Sequence, residues 1–264
     1  MTRSHLVTFS DESMSRSREL CTASARAHGC DTANGWSPAY LDHFPAFRND
    51  WIDNRGYGWW HWKPIVIQQA LHEHLTNDIV IWADAGVEFI NNVSHIIDRT
   101  DQDIFLFGNN WEHAHWCKRD VVEEVWPMSA FDRWSGGYDR TEFHNHTWQR
   151  FGKQCQASVI FFRVSDYSRQ FVKEWLDWCL FEGGRLIDDS PSRLPNHPEF
   201  QEHRHDQAIL TTLAYREGIN LHYWPAIYND GAFVYEKLPC YAGDDYPTLF
   251  HHHRRRNHEW KQVA

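Results

Sequence analysis

Asp78-Ile79-Val80-Ile81-Trp82-Ala83-Asp84-Ala85-Gly86-Val87-Glu88-Phe89 is the stretch whose reading decides the fold. Its β-branched and aromatic run has no alternation of apolar and polar residues, which predicts a strand covered on both faces. Such strands belong to parallel central sheets. Open α/β sheets bind ligands beyond the carboxyl ends of their strands. Asp84 is therefore placed at the mouth of a site, with Gly86 permitting a turn or the close approach of a ligand that a Cβ would block. A capping Asp in a tight turn satisfies the same pattern without chemistry.

Working outward, His5-Leu6-Val7-Thr8-Phe9 predicts a first strand, and Ser10-Asp11-Glu12-Ser13 supplies the cap and first-turn acids of a helix through about His28, closed by Gly29. This βα unit lacks both G-x-G-x-x-G and G-x-x-x-x-G-K, so dinucleotide and P-loop readings lose support. A second short strand and a loop are expected within residues 31–45. Next, Asn54-Arg55-Gly56-Tyr57-Gly58-Trp59-Trp60-His61-Trp62-Lys63-Pro64 precedes a predicted helix from Ile65 to Leu75. Pro64 at its first position puts Lys63 at a helix N-terminus, a place that favours anions, beside four aromatic rings. A diphosphate with a stacked base or sugar fits that composition; so does an aromatic plug with a snorkelling Lys63.

Downstream, the patterns predict a short helix over 91–99, a strand Ile104–Phe107 ended by Gly108, an irregular loop over 135–150 and a buried strand Gln156–Phe162. An amphipathic helix follows, ended by Gly183-Gly184. A Pro-containing loop then leads to Glu202-His203-Arg204-His205-Asp206-Gln207, which opens an apolar helix through Tyr215, and His222–Pro225 reads as a last strand. Five consecutive charged or imidazole side chains exceed what capping a helix requires. His113 and His115, two residues apart on a predicted helix, point away from each other and make a poor metal pair.

Composition limits the partners. A net charge of -10 argues against an extended nucleic-acid surface, although a local basic groove is compatible with it. Fifteen Trp residues offer stacking faces for sugars or bases, with most assigned to the core and its rim. The six Cys residues form no C-x-x-C, so no zinc ribbon or disulfide framework is indicated, and reduced thiols fit a cytoplasmic location. The chain has no 18-residue apolar run.

These motifs in this order resemble a bacterial and phage family of GT-A-type nucleotide-sugar glycosyltransferases. The matching segments are Gly56–Pro64, Asp78–Gly86, Trp116–Asp120, Gln156–Phe162, Glu202–Gln207 and His251–Asn257, and they span most of the chain. The resemblance implies a GT-A-like, Rossmann-type single α/β domain over residues 1–264, with a mostly parallel sheet flanked by helices. Residues 1–110 would form the nucleotide-sugar half; residues 111–264 would form the acceptor half and a metal- or diphosphate-binding tail. It implies a hexosyl- or pentosyltransferase with a nucleotide diphosphate-sugar donor, UDP-linked by expectation, and a glycan, small-molecule or modified-DNA acceptor.

By the same resemblance, Thr8 and Phe9 lie near the base, Lys63 lies toward the diphosphate, and Trp62 and Gly86 belong to the donor site. Asp84 takes the first position of the metal-binding Asp-x-Asp motif, whose second Asp is replaced by Gly86. A Mg²⁺ or Mn²⁺ ion would then need Glu88 or a late histidine, with His252 the choice. Asp206 is expected to be the general base or a back-face stabiliser, against the alternative of a helix cap. Two rival functions accompany this reading. One is a transferase for modified DNA bases, with Lys118, Arg119 and Arg254–Arg256 as a basic strip; the other is a carbohydrate-binding protein without catalysis.

Overall fold

The computed structural model describes residues 2–127, 147–228, 233–241 and 244–260. A six-stranded sheet in the order β2-β1-β3-β6-β5-β7 forms its centre, built from β1 (Ser4–Phe9), β2 (Thr32–Trp36), β3 (Ile79–Ala83), β5 (Ile104–Glu112), β6 (Lys153–Arg163) and β7 (Leu221–Tyr223). β1, β2 and β3 run parallel, as do β5 and β7. β6 alone is reversed, antiparallel to both β3 and β5. The sheet is thus mostly parallel and flanked by helices, the α/β class expected from the Asp78–Phe89 run.

The absence of alternation in β3 has a direct cause. Val80 and Trp82 enter one hydrophobic cluster, while Ile79, Ile81 and Ala83 enter another on the opposite face, and all five are buried. The first cluster is covered by the helices Trp62–Glu73, Arg119–Val125, Asp166–Leu180 and His205–Arg216; the second is covered by Ser15–Ala27 and by a small sheet, β4-β10-β8-β9. That sheet comprises β4 (Val87–Phe89), β8 (Ala226–Tyr228), β9 (Phe233–Val234) and β10 (Phe250–His252). Both clusters draw residues from both halves of the chain, so neither half has a core of its own.

Several boundaries differ from expectation. The helix predicted from Ile65 begins at Trp62, so Pro64 is its third residue. A ring without an N–H is tolerated there because first-turn amides have no helical acceptor. β5 does not stop at Gly108 but continues to Glu112, with a register slip in its pairing to β6 around that glycine. β7 is not the last strand, since β8, β9 and β10 follow it. Of the loop expected over 135–150, residues 135–146 lie outside the described residues.

Candidate active site

β1 ends at Phe9 and β3 at Ala83, and their carboxyl ends open into a cleft of about 530 Å³. Its lining joins residues remote in sequence: Phe9, Lys63, Asp84 and Gly86 from the first half, and Asp206, His252 and Arg254 from the second. Asp84 follows β3 directly, its amide held by the Ser158 carbonyl of β6 at 2.8 Å.

Lys63 lies at the centre. Its ammonium is 3.2 Å from a carboxylate oxygen of Asp84, 3.2 Å from one of Asp206, and donates to the Ala157 carbonyl at 3.1 Å. Only 3% of Lys63 and 4% of Asp206 is exposed, whereas the Asp84 side chain is 31% exposed. Lys63 therefore does not project freely toward a ligand, as the sequence led one to expect; it is the buried counter-charge of two carboxylates. Burial alone would draw its ammonium toward neutrality, but Asp206 and Asp84 outweigh this and hold its pKa above the ordinary value. The same burial pushes the Asp206 carboxyl up to about 6, with Lys63 opposing and the Asp84 charge adding.

Asp206 is not a helix cap. The cap position of His205–Arg216 is Arg204, without a side-chain cap bond, and Asp206 sits in the first turn with its carboxylate turned to Lys63. Its histidine neighbours differ. His203 accepts from the Lys118 amide at 3.3 Å and contacts the Leu186 carbonyl through Nε2 at 2.8 Å, which makes it a structural tie. His205 lines the cleft with a left-handed backbone, φ 49°, its Nδ1 on the Ile187 carbonyl at 2.8 Å.

The aromatic wall is set by an unusual backbone. Gly56, Tyr57, Gly58, Trp59 and Trp60 all have φ between 53° and 92°, a left-handed turn costing about 1–2 kcal/mol for each residue that carries a Cβ. Trp62 donates its indole N–H to the Gly56 carbonyl at 2.9 Å, and His61 contacts the Gly58 carbonyl through Nδ1 at 2.7 Å while accepting from the Arg48 amide. Burial pushes the His61 pKa down to about 4, so it stays neutral with one donor and one acceptor in place. Tyr57, Trp60 and Trp62 are thereby held along the cleft with Phe9.

The C-terminal run closes the other side. β10 pairs with β4 so that His252 lies opposite Val87, and the Arg254 amide donates to the Gly86 carbonyl at 3.1 Å. A Cβ at Gly86 would stand 2.8 Å from the Arg254 Cα. The close approach that Gly86 permits is thus that of the tail. Arg254, Arg256, Arg204 and Arg55 join Lys63 in the lining, five cations against the three acids Asp11, Asp84 and Asp206. Glu202 pairs with both Arg55 and Arg204, so the positive character of the lining comes from Arg254 and Arg256, in a chain of net charge -10. Arg204 was visible only as part of the Glu202–Gln207 cluster.

Three expected placements are corrected. Thr8 is fully buried and absent from the lining, because alternation along β1 turns it to the face covered by Ser15–Ala27 while Phe9 faces the cleft. Lys118 and Arg119 are 3% exposed: Lys118 holds the Arg185, Asp188 and Ser190 carbonyls, and Arg119 pairs with Glu123, so neither belongs to a surface strip. Glu88 pairs with His251 at 3.0 Å and is not turned to Asp84.

The donor set for Mg²⁺ or Mn²⁺ fits poorly. His252 reaches the cleft, but its Nε2 accepts from Arg254 Nε at 3.1 Å, so in the neutral ring its lone pair is occupied and Nδ1 carries the proton. Burial, and then Arg254, keep that ring neutral, with its pKa far below the ordinary range. Asp84 shares its carboxylate with Lys63. Among the described residues, the three-ligand cluster found is His115, His197 and Glu199, none of which lines the cleft.

No protein-family model and no curated protein matches the chain. Similar solved structures include the galactosyltransferase LgtC in complex with donor and acceptor sugar analogues, 13% identical, with 95% of this chain and 87% of that chain covered and a TM-score of 0.47. Mouse xyloside xylosyltransferase 1 in its apo form is 10% identical, with 96% and 98% covered and a TM-score of 0.46.

Proposed function

We propose that the protein is a glycosyltransferase that moves a hexosyl or pentosyl group from a nucleotide diphosphate-sugar, UDP-linked as the first choice, to an acceptor hydroxyl. The observation that carries this reading is the convergence of Asp84 and Asp206 on Lys63 in a cleft that arginines and aromatic rings also line. A diphosphate needs cations, a base or sugar needs flat faces, and transfer needs a carboxylate near the reacting carbon.

In this reading the bond between the sugar's anomeric carbon and the diphosphate oxygen breaks, and the charge released on that oxygen is met by the arginines. The acceptor oxygen forms the new bond to the anomeric carbon and gives its proton to Asp206, whose raised pKa suits a base working near neutral pH. In a retaining reaction the same carboxylate would instead stabilise the oxocarbenium-like carbon from its back face. Phe9, Tyr57, Trp60 and Trp62 are assigned to base and sugar stacking, and Asp84 to orienting Lys63 and the donor. Residues 1–110 are the proposed donor half and 111–264 the proposed acceptor half, whose tail returns to the diphosphate.

Mg²⁺ or Mn²⁺ on Asp84 and His252 is not carried into this mechanism, because the Lys63 ammonium stands on Asp84 Oδ1 and the Arg254 guanidinium on His252 Nε2. Six free cysteines support a reducing, cytoplasmic setting; no described helix is long and apolar enough to cross a membrane. A DNA-base acceptor loses support from the burial of Lys118 and Arg119, and binding without catalysis gives no use for two carboxylates on one buried ammonium.

The test is a thermal-shift panel of nucleoside diphosphates and their sugars, followed by transfer and hydrolysis assays with whichever donor binds. Stabilisation by one nucleotide-sugar, with release of its nucleoside diphosphate in the presence of glycan acceptors, is the expected result. A panel without any stabilising nucleotide would remove the proposal.

A further inference from the structure

Resting on that reading, we infer that the cleft handles the diphosphate without a divalent cation: Lys63 is the fixed counter-charge of Asp84 and Asp206, and Arg254 and Arg256 take the phosphate charge. Of the atoms an ion would use, Asp84 Oδ1, Glu88 Oε2 and His252 Nε2 already face a partner, and position 86 offers none. The Lys63 ammonium donates to the Ala157 carbonyl and stands 3.2 Å from one carboxylate oxygen each of Asp84 and Asp206. An ion on that Asp84 oxygen would stand against a buried ammonium with little solvent to screen the repulsion.

Position 86, two residues on, takes no ligating side chain of any kind, since even a Cβ would press on the Arg254 backbone at 2.8 Å. Glu88 is paired with His251, and the His252 lone pair is engaged by Arg254. On the opposite count, Arg254 and Arg256 line the cleft and are exposed, with no carboxylate partner among the described residues. Arg254 gives His252 only its Nε, so its terminal amino groups and the Arg256 guanidinium match a diphosphate in charge and in paired-donor geometry. The backbone clasp between Gly86 and Arg254 keeps the first of them beside the Asp84 turn.

The experiment is isothermal titration of the intact protein with UDP, GDP, ADP and inorganic pyrophosphate, in EDTA and separately in Mn²⁺. Mn²⁺ binding to the protein alone is followed in parallel by electron paramagnetic resonance. We expect the preferred nucleotide to bind within about twofold in the two buffers, and the free Mn²⁺ signal to be unchanged by the protein. Arg254→Gln combined with Arg256→Gln should weaken binding of that nucleotide and of pyrophosphate by about tenfold or more, the scale of lost charged hydrogen bonds, with the circular dichroism spectrum of the parent fold retained.

Binding that is about tenfold or more tighter with Mn²⁺, and loses that gain in Asp84→Asn, would overturn the inference while leaving sugar transfer intact. A double arginine variant that binds like the parent would overturn the assignment of the clamp. Failure of every nucleotide in both buffers would instead remove the donor site itself, and this inference with it.

Discussion

The ammonium of Lys63 lies 3.2 Å from the carboxylate of Asp206, with both side chains almost wholly out of solvent. Such a pair is weak evidence for stability, since the cost of desolvating two ions offsets most of their attraction. Its effect here is positional. It fixes the carboxylate at the mouth of the strands and sets its proton affinity.

Asp206→Asn should slow sugar transfer by about 10²–10⁴-fold, the usual worth of a positioned general base, while donor affinity changes little. No cap bond is lost, because Asp206 is not the cap residue. Measurement of kcat alongside the donor Kd checks this; a variant that turns over at the parent rate would send the search for the base elsewhere. Asp120 is a poor substitute, being consumed by Arg185, Ser192 and the amides of Arg193 and Leu194.

The transfer rate should rise with pH through about 6 and level off above it, because the Asp206 carboxyl must be ionised to accept a proton. The sign for stability is opposite. The folded pKa is raised above the ordinary 3.8, so this group's contribution is fully present below that value and is lost as pH rises through about 6. Rate profiles of the parent and urea unfolding of parent and Asp206→Asn across that window report the two effects. A rate limb centred well away from 6 would dissociate Asp206 from proton transfer.

Lys63→Met should destabilise the fold by about 3–5 kcal/mol, because it strands two carboxylates that share one buried cation. Adding Asp206→Asn should recover part of that loss, giving a double variant less impaired than the sum of its parts. Denaturant midpoints of the four proteins measure the coupling. Strict additivity would mean that the ammonium and the carboxylate act independently.

Gly86→Ala should cost about 1–3 kcal/mol, the range for forcing a methyl into a filled space, and should loosen the β4–β10 pairing. Amide exchange over residues 250–256 and nucleotide affinity should change together, since the Arg254 backbone is what the methyl displaces. Faster exchange with unaltered affinity would separate the tail from the donor site.

Sequence pattern alone determined the α/β class and the site mouth. The unbroken apolar run of β3 is a local signal, for a strand buried on both faces cannot alternate. Asp84, Asp206 and His252 were also legible as chemical residue types and do line one cleft. What each of them touches was decided only by tertiary structure. A helix-start lysine reads as an anion site until folding brings two carboxylates from distant segments onto its ammonium.

Thr8 and Phe9 are neighbours with opposite fates because strand alternation is known from sequence, but which face meets the cleft is not. The reversal of β6, the left-handed turn at Gly56–Trp60 and the return of the tail to Gly86 rest on contacts between residues far apart in the chain. The charge of the cleft follows from the same cause: Arg254 and Arg256 reach the Asp84 turn only when the backbone brings the tail back to it, and net composition, which is acidic, points the other way.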